Sequence, residues 1–142
     1  MQDSELIQQA YAAQRRAYVP YSHFSVGAAL ETEDGQVFLG CNIENATYTP
    51  TNCAERTAFF KAISEGQRSF RQIAIVGGYL DGEFAKGKEA GYCPPCGVCR
   101  QVMAEFCDPK TFRILLARTP EDYISYSLEE LLPTGFGPGN LL

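Results

Sequence analysis

Ile73-Ala74-Ile75-Val76 is an unbroken apolar run. It is short enough for a strand and apolar on both alternating faces, as a strand in the middle of a covered sheet must be. Working outward, Ala54, Ala58, Ala62 and Ile63 recur at helical spacing before it, with Gly66 as the stop. Asn52 and Glu55 have the spacing of a capping box, so this helix is predicted to open at Asn52. After the run, residues 77–93 contain five glycines and read as an irregular excursion. Pro95 suits the first position of a further helix reaching about Phe106. Residues 112–117 form a second buried strand.

The outer segments extend this alternation. Leu6, Ile7, Ala10, Tyr11, Ala13, Ala17 and Tyr18 predict a first helix, capped by Asp3 or Ser4 and ended by Pro20. Residues 24–30 and 36–43 read as two antiparallel strands about the Asp34-Gly35 turn. Residues 44–51 are polar and form a loop. Residues 122–126 give one more short strand. Ser127 and Glu130 make a second capping box before Leu131 and Leu132, and the Gly/Pro-rich tail from Pro133 is irregular. Helices alternating with doubly covered strands predict an α/β protein: a three-layer α/β/α sandwich with a mixed, roughly five-stranded sheet. With no internal repeat and no linker, residues 1–142 are expected to form one domain.

A net charge of -5 and no basic stripe argue against a nucleic-acid polymer as partner, which needs clustered Lys and Arg. No apolar run is long enough to span a bilayer. The first five residues lack the basic start and apolar stretch of a signal peptide, so the expected location is the cytoplasm, where thiols stay reduced. The six cysteines (Cys41, Cys53, Cys93, Cys96, Cys99, Cys107) therefore read as thiols or metal ligands before disulfides.

Cys96 and Cys99 are three apart at a helix start, so both sulfurs lie on one face. Cys53 sits in the first turn of another helix and offers a third thiolate. Two positive helix ends would stabilise the sulfurs as thiolates. Three protein ligands leave one tetrahedral position open, the mark of a catalytic rather than a structural zinc site. Arg56 and Arg100 each follow the cluster closely; Arg56 is expected to donate to sulfur behind the ligands. Two other arrangements stay open at this point: a Cys96/Cys99 redox pair, and a four-cysteine structural site with Cys93 as the fourth ligand. Cys41 and Cys107 read as small buried side chains. His23, the only histidine, is a loop residue, and it leaves no basis for a serine triad.

Cys53-Ala54-Glu55 with Pro95-Cys96-Gly97-Val98-Cys99 resembles the signature of the cytidine deaminase family in its small, three-cysteine, homotetrameric form. The resemblance extends over Pro20-Tyr21-Ser22, Phe24 to Leu30, Gly40-Cys41-Asn42-Ile43-Glu44-Asn45, Cys99-Arg100-Gln101-Val102-Met103 and Leu131-Leu132-Pro133 with Phe136, nearly the whole chain. It implies one zinc per subunit on Cys53, Cys96 and Cys99. It also implies hydrolytic deamination of cytidine and 2′-deoxycytidine to uridine and 2′-deoxyuridine, with release of ammonia, in pyrimidine salvage. Glu55 would carry protons from water to N3 and to the leaving amine. The Ala54 backbone would meet the base edge, Phe24 would pack on the ring, and Asn42 with Glu44 would hold the ribose 3′-hydroxyl. Ala46, Tyr48 and Phe136 match positions that complete the pocket from neighbouring subunits of a homotetramer. The stretch 77–93 is longer than the connection usual in the family and brings Tyr92 and Cys93 beside the site. Three other readings account for fewer of these residues. An aminohydrolase for a modified cytosine nucleoside would not need the Asn42/Glu44 pair. A nucleic-acid editing deaminase would need a basic groove. A non-catalytic zinc module would not need Glu55.

Overall fold

The computed structural model describes residues 1–79 and 91–142. In chain order the elements are α1 (Asp3–Gln14), β1 (Phe24–Thr32), β2 (Val37–Cys41), α2 (Ala54–Ser64), β3 (Phe70–Tyr79), α3 (Gly97–Phe106), β4 (Arg113–Ala117), β5 (Tyr123–Ser127) and the single turn α4 (Leu128–Leu131). The strands form one sheet in the order β2-β1-β3-β4-β5. Only β3 and β4 run parallel; the other pairs are antiparallel, so the sheet is mixed. β3, which holds the Ile73–Val76 run, is its middle strand.

Strand alternation divides the core into two layers. Ala28, Leu30, Ile73, Ile75, Ile114 and Leu116 face α2, α3 and α4, around Phe59, Met103 and Phe112. Ala29, Ala74, Val76, Leu115 and Ala117 face α1, against Leu6, Ile7 and Ala10. The expected three-layer α/β/α sandwich is thus present, with α1 the one described helix on its face. None of the described helices is long and apolar enough to cross a membrane.

Several element ends differ from expectation, each for a tertiary reason. Gln2 occupies the cap position of α1. Asp3 is already helical, and its carboxylate accepts from Arg113 (3.0 Å) and the Tyr123 hydroxyl (2.8 Å) instead of capping. α1 stops at Gln14, well before Pro20, because Tyr18 leaves the helix to bridge Ile43. Cys53, not Asn52, caps α2: the Asn52 backbone is bridged to Ile43, and its side chain reaches Thr57. Pro95 lies outside α3, whose cap is Cys96. Gly77 and Gly78 belong to β3 rather than to an excursion, while residues 80–90 of that stretch lie outside the described residues. The tail carries a 3-10 turn at Pro138–Asn140. The Ser127/Glu130 capping box is formed, and Gly35 and Gly66 take the positive φ their turns require.

Asp3 links α1 to the sheet through Arg113, which also donates to Gln72 (2.9 Å). Burial works against the Asp3 carboxylate, but hydrogen bonds from Arg113 and Tyr123 outweigh it and hold its pKa below the ordinary value. A depressed folded-state pKa stabilises the fold above the unfolded pKa of about 3.9, and that stability disappears as pH falls through the folded value. The wild type is therefore expected to melt above Asp3→Asn at neutral pH. The gap should close below about pH 4; a gap independent of pH in thermal melts would refute the linkage.

Candidate metal centre

The strand ends that matter meet at one edge of the sheet. β1 begins there, β2 and β3 end there, and Gly27 pairs with both Cys41 and Val76. α2 starts close by because the 44–51 loop is closed at its base. Ile43 and Asn52 exchange both backbone hydrogen bonds, at 3.0 and 2.9 Å. Gly40 then lets α2 approach β2 backbone to backbone: a Cβ at position 40 would lie 2.2 Å from the Ala54 carbonyl oxygen. Cys53, Ala54 and Glu55 are delivered on this tightly seated turn.

The start of α3 comes in from the other side. Cys96 caps it and Cys99 lies one turn in. The Sγ atoms of Cys53, Cys96 and Cys99 lie within 4.8 Å of one another, with Cys53 and Cys96 3.9 Å apart. Thiolates arranged tetrahedrally about a zinc ion at about 2.3 Å are separated by about 3.8 Å, so this donor set fits zinc. Cys93 lies outside the cluster, so among the described residues no fourth thiol joins it and the four-cysteine arrangement is not formed. Burial, together with the charges of Glu55 and Cys53, pushes the Cys93 thiol up to about 12, which keeps it protonated. Cys107 is buried as expected, whereas Cys41 is only half-buried.

Hydrogen bonding from the Cys99 thiol pulls Cys53 down to about 5, against burial and with help from Arg56. Cys99 is correspondingly pushed up. Arg56 Nη2 donates to Cys53 Sγ at 3.2 Å. Arg100 is spent elsewhere, on the carbonyls of Pro95 (2.7 Å) and Leu131 (2.6 Å), and so ties the entry of α3 to α4. Glu55 is 5 % exposed. Burial pushes its pKa up to about 7, with the Cys53 charge adding to the rise.

Cys53, Ala54, Glu55 and Cys96 line a cleft of about 130 Å³ with Val26, Asn42, Cys93 and Pro94. Asn42 projects to its rim, but its amide also holds β1: Nδ2 donates to the Phe24 carbonyl (2.8 Å) and Oδ1 accepts from Val26 N–H (2.9 Å). Glu44 lies in a separate hollow with Tyr21, Ser22 and Tyr48, where Oε1 accepts two backbone N–H groups at 3.0 and 3.2 Å. Phe24 packs edge-on against Tyr79 at 5.0 Å. Ala46, Tyr48 and Phe136 are exposed, and none of them lines the cleft. Residues that sequence reasoning missed are the spacing glycines 27, 40 and 77; their signal is a glycine inside a strand pattern.

An α/β scaffold that brings three thiols and one buried carboxylate to the open end of its sheet defines a metalloenzyme. The family described as "Cytidine and deoxycytidylate deaminase zinc-binding region" matches residues 1–115. The chain is 47 % identical over 141 residues to a cytidine deaminase of Sporosarcina psychrophila, covering 99 % of this chain and 96 % of that one. It is 50 % identical over 131 residues to one of Halalkalibacterium halodurans, covering 92 % and 91 %. The crystal structure of a cytidine deaminase from Burkholderia pseudomallei superposes with a TM-score of 0.83 at 46 % identity, covering 96 % of this chain and 100 % of that one. The chain belongs to the cytidine deaminase family and is a zinc-dependent deaminase.

Two consequences can be measured. Removing the Arg56 guanidinium takes away the donor that holds Cys53, so Arg56→Ala should weaken zinc binding by about 10–100-fold. Competition with a chromogenic chelator reads this directly, and unchanged affinity would rule it out. Gly40→Ala forces α2 off β2 and should cost about 1–3 kcal/mol of stability. A melting point equal to wild type would mean that the contact yields freely.

Proposed function

We propose that this enzyme hydrolyses cytidine and 2′-deoxycytidine to uridine and 2′-deoxyuridine with release of ammonia, a step of pyrimidine salvage. One zinc ion per subunit would be held by Cys53, Cys96 and Cys99. The observation that carries the reading is Glu55, a buried carboxyl beside the thiol cluster whose pKa is raised to about 7. A group poised near neutrality can both accept and return a proton.

When bound, zinc supplies a Lewis acid that makes water acidic enough to react near neutral pH. The rest is done by the chain. As the water oxygen bonds to C4, Glu55 takes its proton and delivers it to N3. A second proton passes through the same carboxyl to the amino group, the C4–N bond breaks, and ammonia leaves. The Ala54 backbone, on the tightly seated first turn of α2, meets the base edge. Phe24 packs against the ring, and Asn42 with Glu44 holds the ribose 3′-hydroxyl. Glu44 also repels phosphate, which favours a nucleoside over a nucleotide.

The subunit cleft is smaller than the roughly 300–1,000 Å³ usual for a small-molecule site. That supports completion of the pocket by Ala46, Tyr48 and Phe136 of neighbouring copies in a homotetramer. Tyr48 and Phe136, large aromatics 79 % and 57 % exposed, are suited to such a role. The six free thiols suit a reducing cytoplasm.

The test is the ultraviolet spectrum of cytidine incubated with zinc-loaded protein, for wild type and Glu55→Gln. The wild type should form uridine; the variant should keep its fold and zinc but lose turnover by about 10²–10⁴-fold. Turnover undiminished in Glu55→Gln would remove Glu55 as proton carrier, and a wild type inactive on cytidine would remove the substrate assignment.

A further inference from the structure

Cys93 is a cysteine of the cleft that neither the metal cluster nor the proton path uses. It lines the cleft beside Glu55, Cys53 and Cys96. Its thiol fills the space that a side chain at position 77 would take: a Cβ there would lie 2.8 Å from Cys93 Sγ, 3.0 Å from its Cβ and 3.2 Å from Phe24 Cε1. Gly77 sits inside β3, paired with Val26 of β1, and cannot give way.

Cys93 cannot retreat either, because both its neighbours are anchored. On one side the Tyr92 hydroxyl donates to Asp122 at 2.8 Å, and the guanidinium of Arg118 lies 4.3 Å from the centre of the Tyr92 ring. Arg118 in turn pairs with Asp122 at 2.8 Å. On the other side Pro94 and Pro95 restrict the backbone, and Arg100 holds the Pro95 carbonyl. The thiol is thereby held against Gly77, beside Phe24, on the wall of the cleft.

We propose that Cys93 is a specificity-determining residue: its side chain is the wall that meets the C5 edge of the pyrimidine and limits which ring-substituted cytosine nucleosides enter. This rests on the deaminase reading above. C4 must face the thiol cluster and N3 must face Glu55. The remaining ring atom next to C4 is C5. Of the residues lining the cleft, Val26, Cys93 and Pro94 are the ones left without another task, and Val26 is packed into the core of the sheet.

The experiment compares kcat/KM for cytidine and 5-methylcytidine on zinc-loaded wild type, Cys93→Ala, Cys93→Ile and Gly77→Ala, with melting point and zinc content measured alongside. Enlarging the pocket with Cys93→Ala should raise the 5-methylcytidine to cytidine ratio by about 10-fold, and Cys93→Ile should lower it comparably. Gly77→Ala, which drives the thiol toward the cleft, should act like Cys93→Ile. Tyr92→Phe, which frees the anchor, should move the ratio in the direction of Cys93→Ala but less far. A general loss of stability lowers both activities and leaves the ratio alone. A wild type active on cytidine, with a ratio that stays within about twofold across the Cys93 variants, overturns the wall and leaves the deaminase reading intact. A wild type inactive on both nucleosides overturns that reading, and the wall with it.

Discussion

The contact on which the site depends is that of two backbones, the first turn of α2 against β2 at Gly40. A side chain there would stand 2.2 Å from the Ala54 carbonyl and 2.6 Å from the Ala58 nitrogen. Closely packed interiors transmit such displacements rather than absorb them. Cys53, Ala54 and Glu55 are consecutive on this turn, so the residues proposed as metal ligand, base-facing backbone and proton carrier share one rigid mount. Gly27 does the same for α1, whose Ala10 carbonyl would lie 2.1 Å from an added Cβ. Both helices are seated on β1 and β2 more closely than side-chain packing allows, and the sheet end between them becomes a fixed frame.

That frame gathers negative charge. Three potential thiolates and a buried carboxyl share one site, where like charges raise one another's pKa. The protons arrange themselves around this: Cys53 is pulled down by the Cys99 thiol, and Cys99 and Glu55 are pushed up. Two helix N-termini and the Arg56 guanidinium offset part of the charge. A divalent cation at the cluster offsets most of the remainder and must displace thiol protons to bind. Metal binding and proton release are therefore linked here, and Glu55 stands close enough to take part in both.

What could be read from the chain was whatever depends on near neighbours. The Ile73–Val76 run marked the middle strand, and Asp34-Gly35 marked the hairpin. The spacing of Cys96 and Cys99 placed two ligands on one helix turn, and Ser127 with Glu130 gave a cap that is present. The misreadings share a cause: a local signal was overruled by a distant partner. Asp3 looked like a cap but is claimed by Arg113, 110 residues away. Asn52 looked like one but is claimed by Ile43. The glycines at 27, 40 and 77 could be seen as interruptions of strands, but which helix or thiol each admits is a property of tertiary packing alone.

The long stretch after β3 fits this division between local and distant control. The chain leaves the sheet at Tyr79, whose ring packs edge-on against Phe24. Tyr92 is held by Asp122 and Arg118. Both clamps are aromatic, and the second adjoins Cys93 of the cleft. The second clamp fixes which residue stands in the cleft, and in this chain that residue is a cysteine facing Gly77.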